Sequence, residues 1–383
     1  MKTQVIGAST TKFGELWDVS PRTLAKEAVS SALKDAGIDM EHIQAVFVGN
    51  MLSGMLGGQE HLGAFFADEF GLRVPALKIE GACASGGLAV HTGVLAIESG
   101  QYDTVVVLGV EKMTDHSPED VARALMGAGS EEERFSGATF PGLYAILARS
   151  HMDKYGTTEE QMASVAVKNH YHASLNPNAQ FRSLLTVSQI LKSSKIADPL
   201  KLLDCSPITD GASAVILSSD KKKMSKRSIG VLASSVATDS LGLSKRKSLT
   251  ELLATQSASE RAYQQAGVDA MDIDVAEVHD CFTIAEILAM EDLGFWKKGL
   301  AASAVVEGET TLGTQKRIAI NPSGGLKGCG HPVGATGVKQ IVEIVEQLRG
   351  AAGKRQVANA NIGLAHNVGG SGATAVVHIL GKL

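Results

Sequence analysis

The chain has 383 residues, of which 44% are hydrophobic and 20% charged, enough apolar material for a large core and too little charge for a disordered chain. Its net charge of −5 leaves no basic excess to neutralise a nucleic-acid backbone, so nucleic acid is excluded as a partner. The four cysteines, Cys83, Cys205, Cys281 and Cys329, are widely spaced with no CxxC pair, which argues against a disulfide framework or a zinc ribbon and fits a reducing compartment.

The segment from Met1 to Glu15 has no apolar run of the kind that directs secretion, and no later stretch reaches the roughly 18 apolar residues of a membrane span. A soluble, cytoplasmic protein without a membrane partner is expected. Apolar spacing of three or four predicts a helix over 23–36, closed by Gly37 as a left-handed cap, and then a strand from Ala45 to Val48. The small-residue turn Gly81-Ala-Cys-Ala-Ser-Gly-Gly87 opens an apolar helix through Glu98, and Thr104 to Gly109 reads as a strand. Residues 116–204 are richer in helix formers and contain Phe140-Pro-Gly-Leu-Tyr144, as expected of a cap over an active site. Asp210 to Leu217 is a glycine turn running into a strand, and the basic run Asp220 to Arg227 reads as a solvated crossing.

The same order then recurs. Ala36-Gly-Ile-Asp-Met-Glu-His-Ile43 is echoed by Ala266-Gly-Val-Asp-Ala-Met-Asp-Ile273, which follows a helix over 259–266 and precedes the strand Val275 to Val278. Gly328 to Gly337 opens a helix through Leu348, Gln356 to Ile362 is predicted as a strand, and Ser371-Gly-Ala-Thr-Ala-Val-Val-His378 echoes residues 210–217. The chain is thus a diverged duplication of an α/β half. The predicted units are residues 1–115 plus 205–222, an insertion at 116–204, and residues 223–383.

Cys83 precedes a helix whose N-terminal amides favour thiolate over thiol, so a nucleophile is predicted there. His331, in Gly-His-Pro-Val-Gly-Ala-Thr-Gly, holds the matching place in the second half and can meet Cys83 as its base if the halves pack about a twofold axis. His279-Asp-Cys-Phe282 ends a predicted strand, where reactive groups of open α/β sheets gather; continued strand geometry would put His279 and Cys281 on one side, and a turn would not. His366 precedes a glycine turn whose amides could form an oxyanion hole.

Gly81-Ala-Cys-Ala-Ser-Gly86, His279-Asp-Cys-Phe282, Gly330-His-Pro-Val-Gly-Ala-Thr-Gly337 and His366-Asn-Val-Gly-Gly370 together closely resemble the thiolase superfamily, specifically its sterol-carrier-protein type and the archaeal acetoacetyl-CoA thiolases. In the familiar thiolases an Asn-Glu-Ala-Phe motif stands in place of His279 to Phe282 and a Cys-x-Gly-Gly-Gly motif in place of His366 to Gly370, so the resemblance moves the second catalytic cysteine to Cys281. It implies a five-layer αβαβα thiolase fold with an inserted loop domain, homodimers or homotetramers, and CoA as substrate and product with no tightly bound cofactor and no metal. It also implies a complex with hydroxymethylglutaryl-CoA synthase through a small OB-fold scaffold protein, on a route to mevalonate.

The expected reaction is condensation of two acetyl-CoA to acetoacetyl-CoA by an acyltransferase. Cys83 carries the acetyl group, His331 takes its proton, and Cys281 deprotonates the second acetyl-CoA. His279 and His331 face the enolate oxygen, and the amides of Cys83, Val368, Gly369 and Gly370 face the tetrahedral oxyanion. Three alternatives stay open: a degradative 3-ketoacyl-CoA thiolase, a decarboxylating ketosynthase with no use for Cys281, and a non-catalytic acyl-CoA-binding scaffold. Zinc held by Cys281, His279, His331 and His366 has unusual ligand spacing. Lys245-Arg-Lys247 is a candidate for the CoA nucleotide, and Asp280 has no predicted role.

Overall fold

The computed structural model describes residues 1–383. The first half contributes β1 (Gln4–Thr10), α1 (Pro21–Ala36), β2 (Val46–Gly49), β3 (Ala76–Ile79), α2 (Ser85–Glu98) and β4 (Thr104–Glu111). Helices α3 (Phe140–Tyr155) and α4 (Glu159–Ser174) follow before the half closes with β5 (Gly211–Ser218). The second half repeats the series as β6 (Ile229–Thr238), α5 (Leu253–Ala266), β7 (Val275–Glu277), α6 (Thr283–Asp292), β8 (Ala319–Ile320), α7 (Val333–Leu348), β9 (Ile362–Gly369) and β10 (Thr374–Gly381).

Local chemistry sets the element ends. The Ser20 hydroxyl accepts the Thr23 N–H and Pro21 stands in the first turn of α1; Gly37, at φ 68°, closes it. Gly267, at φ 69°, closes α5 in the same way. The ten strands run β3-β2-β4-β5-β1 and then β6-β10-β9-β7-β8, so the two halves share one strand order. In each half the outer three strands, β3-β2-β4 and β8-β7-β9, are parallel, and the two nearer the junction join antiparallel. Within the sheet, the halves join through the ladder pairs Gln4↔Gly230 and Val5↔Ile229, between β1 and β6.

Both faces of each half are covered, which is why the strands read as continuous apolar runs. Val106, Leu108 and Val110 of β4 pack outward with Leu24, Ala28 and Val29 of α1, while Val105 and Val107 pack inward with Val90 and Val94 of α2 and Val338 and Ile341 of α7. On the other side, α5 and α6 cover Leu364, Val377 and Ile379. Helices α2 and α7 therefore form the shared middle layer, touching strands of both halves. Their first turns meet backbone to backbone: a Cβ on Gly86 would stand 2.6 Å from the Gly334 carbonyl oxygen, and one on Gly337 would overlap the Gly87 nitrogen.

Residues 116–204 contribute no strand to the large sheet; they supply α3, α4, shorter helices and a separate two-stranded hairpin, Lys195–Ala197 with Leu200–Lys201. One predicted strand is displaced. Gln356 to Asn361 is irregular, with Asn359 at φ 56° and the Asn361 N–H held by the Asp274 carboxylate at 2.7 Å, and the strand begins at Ile362. No helix is long and apolar enough to cross a membrane.

Candidate active site

Strand β3 runs through Glu80 and Gly81 to Cys83, just before α2. Ala82 takes a left-handed conformation, φ 54°, which costs a residue with a Cβ about 1–2 kcal/mol. Local bonds hold it there. The Ala82 N–H donates to Glu80 Oε1 at 2.6 Å, and the Ser85 hydroxyl donates to the Ala82 carbonyl at 2.6 Å while accepting the Gly81 N–H at 3.0 Å. Burial pushes the Cys83 thiol up to about 12, against the pull of the Gly370 N–H that faces it. The amides of Cys83 and Gly370 pull toward thiolate, as the turn predicts, and desolvation is the larger effect.

His331 supplies the matching base. Its N–H donates to Thr209 Oγ1 at 2.9 Å, and its Nδ1 lies 2.7 Å from Thr336 Oγ1. The Thr336 hydroxyl donates its only proton to the Pro332 carbonyl, so Nδ1 carries the imidazole proton and Nε2 is left as the free lone pair. Burial holds His331 at about 3, so the ring is neutral near neutral pH.

His279 has the opposite tautomer, fixed by a residue that sequence reasoning passed over. Asn367 on β9 accepts the Gly87 N–H through Oδ1 at 3.0 Å, which leaves its Nδ2 to donate to the Cys83 carbonyl at 3.0 Å and to His279 Nδ1 at 3.1 Å. His279 Nε2 therefore bears the proton, and this buried N–H has no partner in the protein. Burial, with His331 and His366 nearby, keeps the ring neutral. One ring nitrogen of each imidazole and the Cys83 sulfur lie within 4.8 Å of one another, and the rings meet edge to face at 5.1 Å. The Cys83 thiol and one ring nitrogen of each imidazole thus converge on one point.

Cys83, Cys281 and His331 line one cavity of about 190 Å³, walled largely by apolar side chains including Met113, Val121 and Leu125. Burial and Cys83 hold the Cys281 thiol well above its ordinary value. His366 is a correction. Strand alternation turns it to the other face of β9 with Leu364, where its Nε2 meets Thr255 Oγ1 of α5 at 2.9 Å; it does not line the cavity. The four residues weighed for zinc therefore do not gather. Of the three predicted turn amides, those of Val368 and Gly369 lie in the ladder opposite Ala375 and Thr374, and that of Gly370 faces Cys83.

Two smaller points follow. Arg246 is internal, donating to the Ser371 carbonyl at 2.7 Å and to the Ser240 carbonyl at 3.3 Å, so it is not free to meet a nucleotide. Asp280 gains a role: its carboxylate accepts the Leu326 N–H at 2.6 Å, the Lys327 N–H at 3.2 Å and Asn169 Nδ2 at 2.7 Å. It ties the His279–Cys281 loop to the segment leading into His331 and to α4.

This fold and this cysteine–histidine centre define an acyltransferase. The thiolase N-terminal domain family matches residues 3–221 and the thiolase C-terminal domain-like family matches residues 235–382; the chain belongs to the thiolase family. It is 50% identical over 382 residues to an acetyl-CoA acetyltransferase of Methanothermobacter thermautotrophicus, covering 99% of both chains. It is 35% identical to sterol carrier protein 2 of Gallus gallus, covering 97% of this chain and 70% of the relative. Among solved structures, the Ltp2-ChsH2(DUF35) aldolase shares the fold at TM-score 0.85 and 24% identity, covering 99% of this chain and 97% of that one. An acetyl-CoA acetyltransferase from Syntrophomonas wolfei shares it at TM-score 0.75 and 20% identity, covering 100% and 99%.

Proposed function

We propose that this acyltransferase condenses two acetyl-CoA into acetoacetyl-CoA and CoA through an acetyl-cysteine on Cys83. The observation that carries the reading is the convergence of the Cys83 thiol with one ring nitrogen each of His331 and His279, with Cys83, His331 and Cys281 on one cavity.

Cys83 attacks the first thioester as His331 takes its proton. CoA leaves with the proton of Cys281, which becomes a thiolate, and acetyl is left on Cys83. Splitting the reaction in two lowers the barrier of each step. Cys281 then removes a methyl proton from the second acetyl-CoA, and His279 Nε2–H with the protonated His331 stabilises the enolate oxygen. The enolate attacks acetyl-Cys83, the Gly370 amide faces the oxyanion, and Cys83 leaves and recovers its proton from His331. Run backwards, the same site cleaves acetoacetyl-CoA.

CoA is substrate and product here, with no resident cofactor. We place the enzyme in the cytoplasm on the route to mevalonate, as a homodimer or homotetramer; the free edge of β3, with Leu77 exposed, offers a surface for a second copy. The same reading includes a complex with hydroxymethylglutaryl-CoA synthase through a small OB-fold scaffold protein. Incubation with labelled acetyl-CoA should leave one thioester on the Cys83 peptide, read by mass spectrometry, and Cys83→Ala should remove both the label and turnover. A label on Cys205 or Cys281 instead would overturn the assignment.

A further inference from the structure

Tyr144 comes from α3, in the segment between β4 and β5, and reaches the centre of the site. It is 1% exposed, lines the same cavity as Cys83 and Cys281, and packs its ring on Phe282 with centroids 4.7 Å apart. Its hydroxyl donates to the Gly370 carbonyl at 3.2 Å, the peptide after the strand that carries Asn367. The Cys281 thiol, next in the chain to Phe282, lies on the wall of the same cavity beside this hydroxyl.

A phenol has one proton to give. While that proton points at the Gly370 carbonyl, the oxygen can only accept from Cys281 S–H. Once Cys281 is a thiolate, the acceptor and donor roles must reverse. We infer that Tyr144 is a further catalytic residue, which stabilises the Cys281 thiolate by turning its hydroxyl proton from the Gly370 carbonyl to the Cys281 sulfur. The inference rests on Cys281 as the proton carrier of the proposed reaction. Tyr144 keeps its own proton throughout: the methyl proton of acetyl-CoA goes to the Cys281 sulfur, the electron pair goes to the enolate oxygen, and the hydroxyl swings back to Gly370.

The need for such a partner is physical. Cys281 is buried, and Cys83 and Asp280 face it, all of which oppose ionisation; Tyr144 and the Phe282 amide are the groups that favour it. Cys205 and His331 are the remaining titratable groups on the pocket wall. A thiol without a donor in that setting would stay protonated at the pH where the methyl proton must be taken.

The test is peptide-resolved alkylation by iodoacetamide across pH, with Cys205 as the internal reference. Tyr144→Phe keeps the ring on Phe282 and removes the hydroxyl. The Cys281 alkylation midpoint should move alkaline by about one pH unit, a tenfold slower reaction at fixed pH on the rising limb, with Cys205 unmoved. Deuterium exchange into the acetyl-CoA methyl group should fall by about 10²-fold while acetyl-enzyme forms on Cys83. Site-specific 3-fluorotyrosine at position 144, a stronger donor of nearly the same shape, should shift the Cys281 midpoint the other way and keeps the test open if Tyr144→Phe does not fold. A Cys281 profile unchanged in both proteins would overturn the inference. Because alkylation reads the Tyr144–Cys281 bond itself, it stands apart from the question of whether Cys281→Ala still exchanges the methyl proton.

Discussion

The two loops that open the central helices occupy equivalent places in the duplicated halves and are held in different ways. The Cys83 loop is braced within its own half, by Glu80 and Ser85 around the left-handed Ala82, and takes Asn367 and the Gly370 N–H from the other half. The His331 loop depends on the opposite half: Thr209 anchors the His331 N–H, and the Glu111 carboxylate accepts the Gly334 N–H at 3.0 Å in the first turn of α7. Glu111 also accepts from Asn50, Met51 and Leu52, so one buried side chain fixes the start of α7 against the end of β2. The nucleophile is thus positioned by strain balanced locally, and its base by contacts across the pseudo-twofold axis. Neither half holds a working site alone.

Breaking the meeting of the two helices should have the largest effect. Gly337→Ala places a Cβ onto Gly87 N and Asn367 Oδ1, atoms that cannot move without shifting both loops. We expect a loss of about 3 kcal/mol or more in denaturant unfolding, or no soluble protein. Native-like stability would mean that the helices do not approach so closely.

Asn367→Ala removes the side chain that joins the Cys83 loop to His279 and fixes the His279 tautomer. Turnover should fall by about 10²-fold with the KM for acetyl-CoA changed little, because the group acts on oxygen stabilisation rather than on binding. His366→Ala sharpens the contrast between neighbours on one strand: less than about a tenfold loss of turnover, with about 2 kcal/mol of stability lost as the Thr255 bond and its packing go. The smallest expected effect is none. With His331 held at about 3 and Cys83 at about 12, the rate of acetyl-enzyme formation should be flat between pH 6 and 8.5. A depressed imidazole stays an acceptor until the pH falls toward 3, so an acid limb centred near 6.5 would show that His331 titrates as an exposed histidine does.

Much of this was legible in the sequence because a duplicated α/β half writes its order twice, and because turns of small residues before helices mark where backbones meet. Cys83 and His331 fall out of that pattern. The first strand of each half does not: Gly7-Ala-Ser-Thr10 and Ser234-Ser235 carry no alternation, and burial there comes from layers folded over them by distant segments. Alternation does divide 362–369 into Leu364, His366 and Val368 on one face and Gly363, Ala365 and Asn367 on the other, but which face holds the site is decided by where α2 and α5 pack. Imidazole chemistry drew the eye to His366 when the position belonged to its neighbour. Tyr144 lay inside a segment recognised as a cap, yet its partner Gly370 is 226 residues away. The amides that favour the Cys83 thiolate are visible locally in the sequence, and the desolvation that opposes it is not.

The central claim is that one cysteine from each half divides the work, Cys83 holding the acyl group and Cys281 moving the methyl proton. The most direct measurement follows both events in Cys281→Ala supplied with acetyl-CoA in deuterium oxide: acetylation of the Cys83 peptide by mass spectrometry, and deuterium entry into the acetyl methyl group. Acetyl-Cys83 should accumulate while exchange and acetoacetyl-CoA formation fall by about 10²- to 10⁴-fold. Exchange that continues in Cys281→Ala and stops in His366→Ala would contradict the account and put the base on β9.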